Sequence, residues 1–462
     1  MRPAGSTAPA RGIFDETRPL WQVMALFLVP LVLSNILQSA SGTVNAVFIG
    51  RLIGVDGLAA VSTLFPILFL LIGFLIGFSS GSTVLIGQAY GSKDDHKLKL
   101  VAGTSITATF LLGCISAAVG IIFAKEMLQL LGTPSNILAD AIAYAHVIFA
   151  MLPLLFVYFA YISFMRGTGD STTPFVALLL TTILSVLITP ALILGWFGLP
   201  HLGVVSAAWA GLVANTLGLI GLLIYLRAIR HPLALDAETV HDLKINWPIF
   251  VQIVRIGVPT GIQVIMVSLA ELAVISFVNR FGSHATAAYG AVNQIVSYVQ
   301  FPAISIGITA SIFGAQAIGA NRDDLLAKVV RSGVGLNYII GGTLITLCYI
   351  FKREIVGWFL TDQATLEVAV RLLAITLWSY LLFGNAAILS GIMRASGTVI
   401  VPTAISIAAI WGVEVPVAYF LSHRIGIDGI WIGYPAAFMT SLAGQTIYYF
   451  FVWKRSRHKR LI

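Results

Sequence analysis

Glu271 is a carboxylic acid set in a long apolar run, with Ser268 three residues and Gln263 eight residues before it. A charged side chain at the centre of a bilayer costs about 3 kcal/mol on insertion scales, so an acid placed there reads as functional. Burial favours the neutral form of a carboxyl, and a group whose access to water alternates can take up a proton and release it. The nearest cations along the chain, Arg255 and Arg280, stand sixteen and nine residues away. The alternative role is a permanently protonated or hydrogen-bonded structural acid. Glu414, two residues before Pro416, is the second acid of this kind. It serves either in ion coupling or as a partner for backbone groups that the proline leaves unpaired. Asn35, Gln38 and Asn45, at steps of three and seven, fall on one helix face. Asn293 and Gln294, with Ser297 and Gln300, make a second polar face. Amide stripes are costly against lipid, so they either line a polar cavity or bond helix to helix. Tyr298 and Trp378 can stack on an organic cation or simply pack. The set offers carboxylates for H⁺ or Na⁺, and amides and rings for a small organic molecule.

Other chemistry is excluded by what the chain lacks. It has no phosphate-binding loop of the Walker type, and no nucleophile–base pair. Neither an ATP-driven pump nor an enzyme is expected, and no cofactor beyond the coupling ion, H⁺ or Na⁺. His231, Asp236, Glu238, His241 and Asp242 match no metal-ligand spacing and read as a solvated linker.

The elements that must position these residues follow from composition. Hydrophobic residues make up 58% of the 462, and charged ones 10%; mean hydropathy is +0.94. A soluble domain of this size carries far more charge. Residues 61–81 and 175–197 run uncharged for the length that crosses a hydrocarbon core. Twelve spans are expected, at 20–48, 58–82, 100–124, 138–164, 175–197, 204–226, 250–279, 286–313, 329–351, 367–392, 401–421 and 429–453. The fold class is an all-α polytopic membrane protein. Pro30, Phe48 and Arg51 return in the same order in the second half as Pro259, Phe277 and Arg280. Gln88, Ala89, Gly91, Met165, Arg166, Gly169 and Pro174 return there as Gln316, Ala317, Gly319, Met393, Arg394, Gly397 and Pro402. Such order at a near-constant offset marks a duplication. Six spans per repeat keep the two halves in the same sense, giving two parallel six-helix lobes. The expected divisions are a tail at 1–19, an N-lobe at 20–226, a linker at 227–249, a C-lobe at 250–453 and a basic tail at 454–462.

The net charge of +8 is a matter of orientation rather than nucleic-acid binding. With the N-terminus inside, only Arg51, Lys125, Arg280, Lys352, Arg353, Arg371 and Arg424 of the 27 Lys and Arg fall outside. That bias places both termini in the cytoplasm and the protein in the plasma (inner) membrane. A polar segment of nineteen residues before the first span, which is too long for a signal h-region, argues against a secretory leader. Cys114 and Cys348 lie in apolar spans and read as buried structural thiols. Gly73, Gly77 and Gly81, every fourth residue, read as a close-packing face.

The junctions carry a family resemblance over roughly residues 20–455. Phe48-Ile49-Gly50-Arg51 with Leu58-Ala59-Ala60 resembles the helix 1–2 junction of multidrug and toxic compound extrusion (MATE) transporters, in the MOP flippase superfamily. Gly87-Gln88-Ala89-Tyr90-Gly91 before Asp94 resembles their helix 2–3 junction. Met165-Arg166-Gly167-Thr168-Gly169-Asp170 with Pro174 resembles their helix 4–5 junction. The resemblance implies a two-lobed, V-shaped antiporter that exports organic molecules against H⁺ or Na⁺. Many prokaryotic members, the DinF-like branch above all, carry an Asp where this chain has Asn45, and often an acid where it has Thr189 before Pro190. The N-lobe cation site of those members is therefore expected to be absent. Glu271 resembles the helix 7 acid of other branches, about one turn beyond the position Pro259 implies.

The sequence thus predicts a monomeric antiporter exporting amphipathic, cationic small molecules. Glu271 and Glu414 are its coupling acids, and Asn35, Gln38, Asn45, Gln263, Asn293 and Gln294 line a cavity between the lobes. A lipid-linked oligosaccharide flippase of the same superfamily, a specific metabolite exporter and a channel are the alternatives. The flippase would call for a more cationic interior than these spans provide.

Overall fold

The computed structural model describes residues 18–198, 200–235, 243–456 and 459–462. The expected tail at 1–19 falls outside these up to residue 17, as do Asp236, Glu238, His241 and Asp242 of the linker. Among the described residues every regular element is helical. The spans are α1 (Leu20–Leu52), α2 (Phe65–Ser92), α3 (Asp95–Ile122), α4 (Leu138–Gly167), α5 (Thr172–Leu194) and α6 (Gly203–Ala228). Then come α7 (Trp247–Asn279), α8 (Ser283–Gly319), α9 (Asp324–Ile350), α10 (Gln363–Ala395) and α11 (Ile400–Ile425). These eleven are long and apolar enough to cross a membrane; α12 (Ile427–Phe451) has the length, at 25 residues, with a less apolar run. The helices outrun the expected spans: α8 has 37 residues, about 55 Å of helix at 1.5 Å per residue, so its ends stand beyond the apolar slab.

The duplication is written in the backbone. Left-handed or otherwise positive φ occurs at Gly54 and Gly282, Lys93 and Asn321, Gly169 and Gly397, and Gly198 and Gly426, and all four pairs share one sequence offset. The α4 and α10 ends close alike: Asp170 N–H donates to Met165 O and Gly169 N–H to Arg166 O, as Thr398 does to Met393 and Gly397 to Arg394. This double closure needs a left-handed residue past the helix end, which a glycine supplies at no steric cost.

The described residues form two compact units. One takes Leu33–Gly257; the other takes Val258–Leu461 together with the start of α1 up to Val32. Thus α1 changes unit two residues past Pro30, and α7 changes unit one residue before Pro259. In the first unit a Cβ on Gly81 would collide with the Ile253 carbonyl oxygen, and one on Gly257 would lie 2.9 Å from Gly77 O. Gly77 and Gly81 therefore do let α2 meet another backbone, the first turns of α7. In the second unit Phe27 of α1 meets Phe313 of α8 edge-on at 5.6 Å between centroids. The core of this unit gathers Val274, Tyr289, Val292, Leu373, Tyr380 and Trp431. Cys114 and Cys348 are both free and only partly buried, a correction to their expected burial. A thiol is apolar enough to sit at a lipid-facing surface.

Asp362 caps α10: its Oδ2 accepts from the Thr365 backbone N–H at 2.9 Å and from the Thr365 hydroxyl at 2.7 Å. His284 Nδ1, at the start of α8, stands 3.3 Å from the same oxygen. The Thr365 hydroxyl, then its backbone N–H, then His284 hold the Asp362 carboxyl below the usual carboxylate range. A lowered folded-state pKa contributes stability above the unfolded value of about 3.9, and that contribution disappears as pH falls through the still lower folded value. Asp362→Asn should therefore melt earlier than the parent protein at pH 7, with the gap closing below about pH 4. Thermal unfolding at both pH values checks this; a gap unchanged in acid rejects the cap's ionisation as its source.

Candidate functional site

The second unit brings Glu271 and Glu414 within electrostatic reach of each other. Pro416 has no N–H and its ring opposes the carbonyl four residues earlier, so an unmodified α-helix cannot pass through it. The chain answers with a π turn at Ile410–Glu414, in which Val415 N–H donates to Ile410 O five residues back. Such turns are rare and cluster at functional sites. This one places Glu414, 5% exposed, in the interior. Trp411 Nε1–H donates to Met266 O at 3.2 Å and ties the same turn of α11 to α7, the helix that carries Glu271. Gly433 brings α12 against this point, since a Cβ there would lie 2.9 Å from Glu414 O and 3.5 Å from its Cγ.

Glu271 and Glu414 lie close enough to feel each other's charge. Tyr289 of α8 and Tyr380 of α10 are within electrostatic reach of both acids, and Tyr434 of α12 is within reach of Glu414. The Tyr289 and Tyr434 hydroxyls are hydrogen-bonded at 3.0 Å. Tyr289 stacks on Trp431 with rings 7° from parallel, and Tyr380 meets Phe438 edge-on at 5.2 Å. Asn293 follows Tyr289 by one turn of α8. Helices α7, α8, α10, α11 and α12 thus each contribute a residue to one cluster of acids and phenols. Among the described residues the Glu414 carboxyl has no backbone partner, so it does not serve the groups freed by Pro416. Glu271 is exposed at the unit's surface and Glu414 is buried.

The remaining amides are distributed differently. Gln263 and Gln294 are half-buried and Asn293 is exposed, all in the second unit. In the first unit Asn35 and Asn45 are half-buried and Gln38 is exposed. The Thr189 hydroxyl donates to Ser185 O at 2.7 Å and shares its proton with Asn45 Oδ1 at 3.3 Å. The two positions at which this chain departs from the DinF-like pattern therefore touch, and they meet as a neutral pair. Trp378 and Tyr298 are partly exposed, with 42% and 43% of their surface accessible. The phenols of Tyr289, Tyr380 and Tyr434 were not among the residues the sequence singled out. Only the step of four from Tyr289 to Asn293, and Tyr434 beside a packing glycine, signal them.

A duplicated, twelve-helix membrane fold with an acid-and-phenol cluster in one half is the architecture of a membrane transporter. The sequence matches the MatE family over residues 30–191 and again over 259–420, two segments of equal length, one in each half. The chain belongs to that family. It is 54% identical over 445 residues to the probable multidrug resistance protein YoeA of Bacillus subtilis, covering 96% of each chain. It is 26% identical to the multidrug export protein MepA of Staphylococcus aureus, over 94% of this chain and 95% of that one. Its fold superposes on the crystal structure of the Vibrio cholerae MATE transporter VcmN D35N mutant with a TM-score of 0.85 and 20% identity, over 93% of this chain and 96% of that one.

Proposed function

We propose that the protein is a secondary active exporter that moves amphipathic, cationic organic molecules out of the cytoplasm in exchange for H⁺, with Na⁺ as the second choice. The observation that carries this reading is the Glu271–Glu414 pair among three tyrosines in the second unit, set against the neutral Asn45–Thr189 pair in the first. Neighbouring carboxylates release protons in steps that belong to the pair. Aromatic faces and carboxylates together also suit an organic cation, through cation–π attraction and direct charge pairing. Proton and substrate then compete for one set of groups, which is the requirement of an exchange mechanism. Gln263, Asn293 and Gln294 supply polar contacts there, and Asn35, Gln38 and Asn45 a polar stripe along α1. The names borne by YoeA and MepA support multidrug export. The Lys and Arg bias supports a plasma-membrane location with both termini cytoplasmic, and the chain acts as a monomer.

The test is reconstitution of the full chain into proteoliposomes loaded with a cationic dye. Imposing a proton gradient should drive the dye across the bilayer, and an equal Na⁺ gradient should do so less well. Dye movement indifferent to both gradients refutes exchange.

A further inference from the structure

A groove of about 510 Å³ lies between α5 and α6 of the first unit. Its walls are apolar, including Val176, Leu180 and Leu184 on one side and Leu217 and Leu222 on the other. Two glycines of α6 make the room. Gly218 lets α6 settle against Thr181, where a Cβ would collide with the threonine methyl, and Gly221 faces open space with nothing within 4 Å. From Thr172 to Leu184 the groove follows α5 for twelve residue steps, about 18 Å at 1.5 Å per residue. One leaflet of a bilayer contributes half of a hydrocarbon core of about 30 Å. The groove is therefore one leaflet deep, and Leu180, Ile183, Leu217 and Ile224 on and beside its rim are exposed.

The two ends of the groove differ. At the mouth, Thr172 and Thr173 begin α5 and Tyr225 closes α6. Arg227 and Arg230 follow Tyr225 within five residues, and both are exposed. Neither guanidinium is held in an ion pair among the described residues. Neither α5 nor α6 carries an Asp or Glu anywhere along its length. The nearest carboxylate, Asp170 just before α5, is buried and accepts from the Thr172 and Thr173 backbone N–H groups and from the Thr173 hydroxyl. An anionic headgroup would find two exposed arginines and the Thr172 hydroxyl, with an apolar slot one leaflet deep beneath them.

We propose that this groove is a binding site for one anionic phospholipid of the leaflet bordering the linker. One acyl chain lies along Leu180 and Leu184, and the phosphate sits by Thr172, Arg227 and Arg230. Cationic side chains near an anionic headgroup each favour it by about fivefold in binding, and every buried methylene adds apolar stabilisation.

Native mass spectrometry of the purified full chain, titrated with dioleoyl phosphatidylglycerol or dioleoyl phosphatidylcholine, reads the site without any transport step. The parent protein should retain one phosphatidylglycerol at least tenfold more tightly than phosphatidylcholine. Gly221→Phe, whose ring enters the slot, should lose that preference, whereas Gly211→Phe, at another open position of α6, should keep it. Replacing Arg227 and Arg230 by Ala should bring the two lipids level. Should Gly221→Phe elute aggregated, the smaller Gly221→Leu carries the same expectation. Undiminished phosphatidylglycerol retention in the folded Gly221 variant overturns the proposal, as does equal retention of both lipids by the parent. Displacement of the lipid by a cationic dye in the parent but not in Gly221→Phe also overturns it, by assigning the groove to substrate.

Discussion

Glu271→Gln and Glu414→Gln should each bring gradient-driven export down to the passive leak. Glutamine keeps the shape and the hydrogen-bonding reach of the acid but removes the site at which a proton or cation exchanges. A potential of about 100 mV supplies about 2.3 kcal/mol per charge moved, enough for roughly fiftyfold accumulation. Loss of coupling therefore reads as a fall of the accumulated ratio from roughly fifty toward one, in proteoliposomes containing folded protein. The two variants should fail alike, because the acids lie within electrostatic reach of each other. Asn45→Ala should remain coupled to the gradient, because Asn45 and its partner Thr189 are both neutral. Sustained accumulation by either glutamine variant would remove that acid from the mechanism. Collapse in Asn45→Ala would return coupling to the first unit.

The largest structural effect is expected at Gly391. Helices α8 and α10 cross there so closely that a Cβ would collide with the Gly307 carbonyl oxygen and lie 3.4 Å from Ser311 N. Both obstacles are backbone atoms of a buried helix, and neither can swing aside as a side-chain end would. Overpacking of a tight core costs about 1–3 kcal/mol, and the upper end applies where only backbone can yield. Gly391→Ala should thus lower the unfolding temperature in detergent by several degrees or prevent folding. Gly290, on α8 but facing open space, provides the opposite sign. Ala there relieves the glycine helix penalty of about 0.8–1 kcal/mol and should leave the melt unchanged or raise it. Equal melts for the two variants would show that the α8–α10 crossing does not limit packing.

Apolar length and periodicity made the twelve spans legible in the sequence, and matched junctions made the duplication legible, because both are local properties of the chain. The confinement of acids to the second half was equally plain, since Glu271 answers Gly42 at the repeat offset. The contact between Asn45 and Thr189 could be anticipated only through the family resemblance, because 144 residues separate them. Three features stayed out of reach. Tyr289, Tyr380 and Tyr434 looked like packing aromatics, and their convergence depends on how three helices rotate against one another. The π turn at Ile410–Glu414 leaves no pattern beyond Pro416. The division of α1 and α7 between units follows from tertiary packing that hydropathy does not encode.

That division governs how the protein is made. Phe27 emerges from the ribosome early, yet its partner Phe313 is synthesised only with the second half of the chain. The opening turns of α1 must therefore wait in the bilayer while most of the chain is inserted. Lengthening such a closure costs little, since the entropy grows only with the logarithm of the intervening chain. Its consequence is one of order. The first unit completes only when the opening turns of α7 arrive, and the second closes around turns laid down at the outset. A nascent chain halted at the linker would hold neither unit whole, so assembly is a late event gated by translation of the second half.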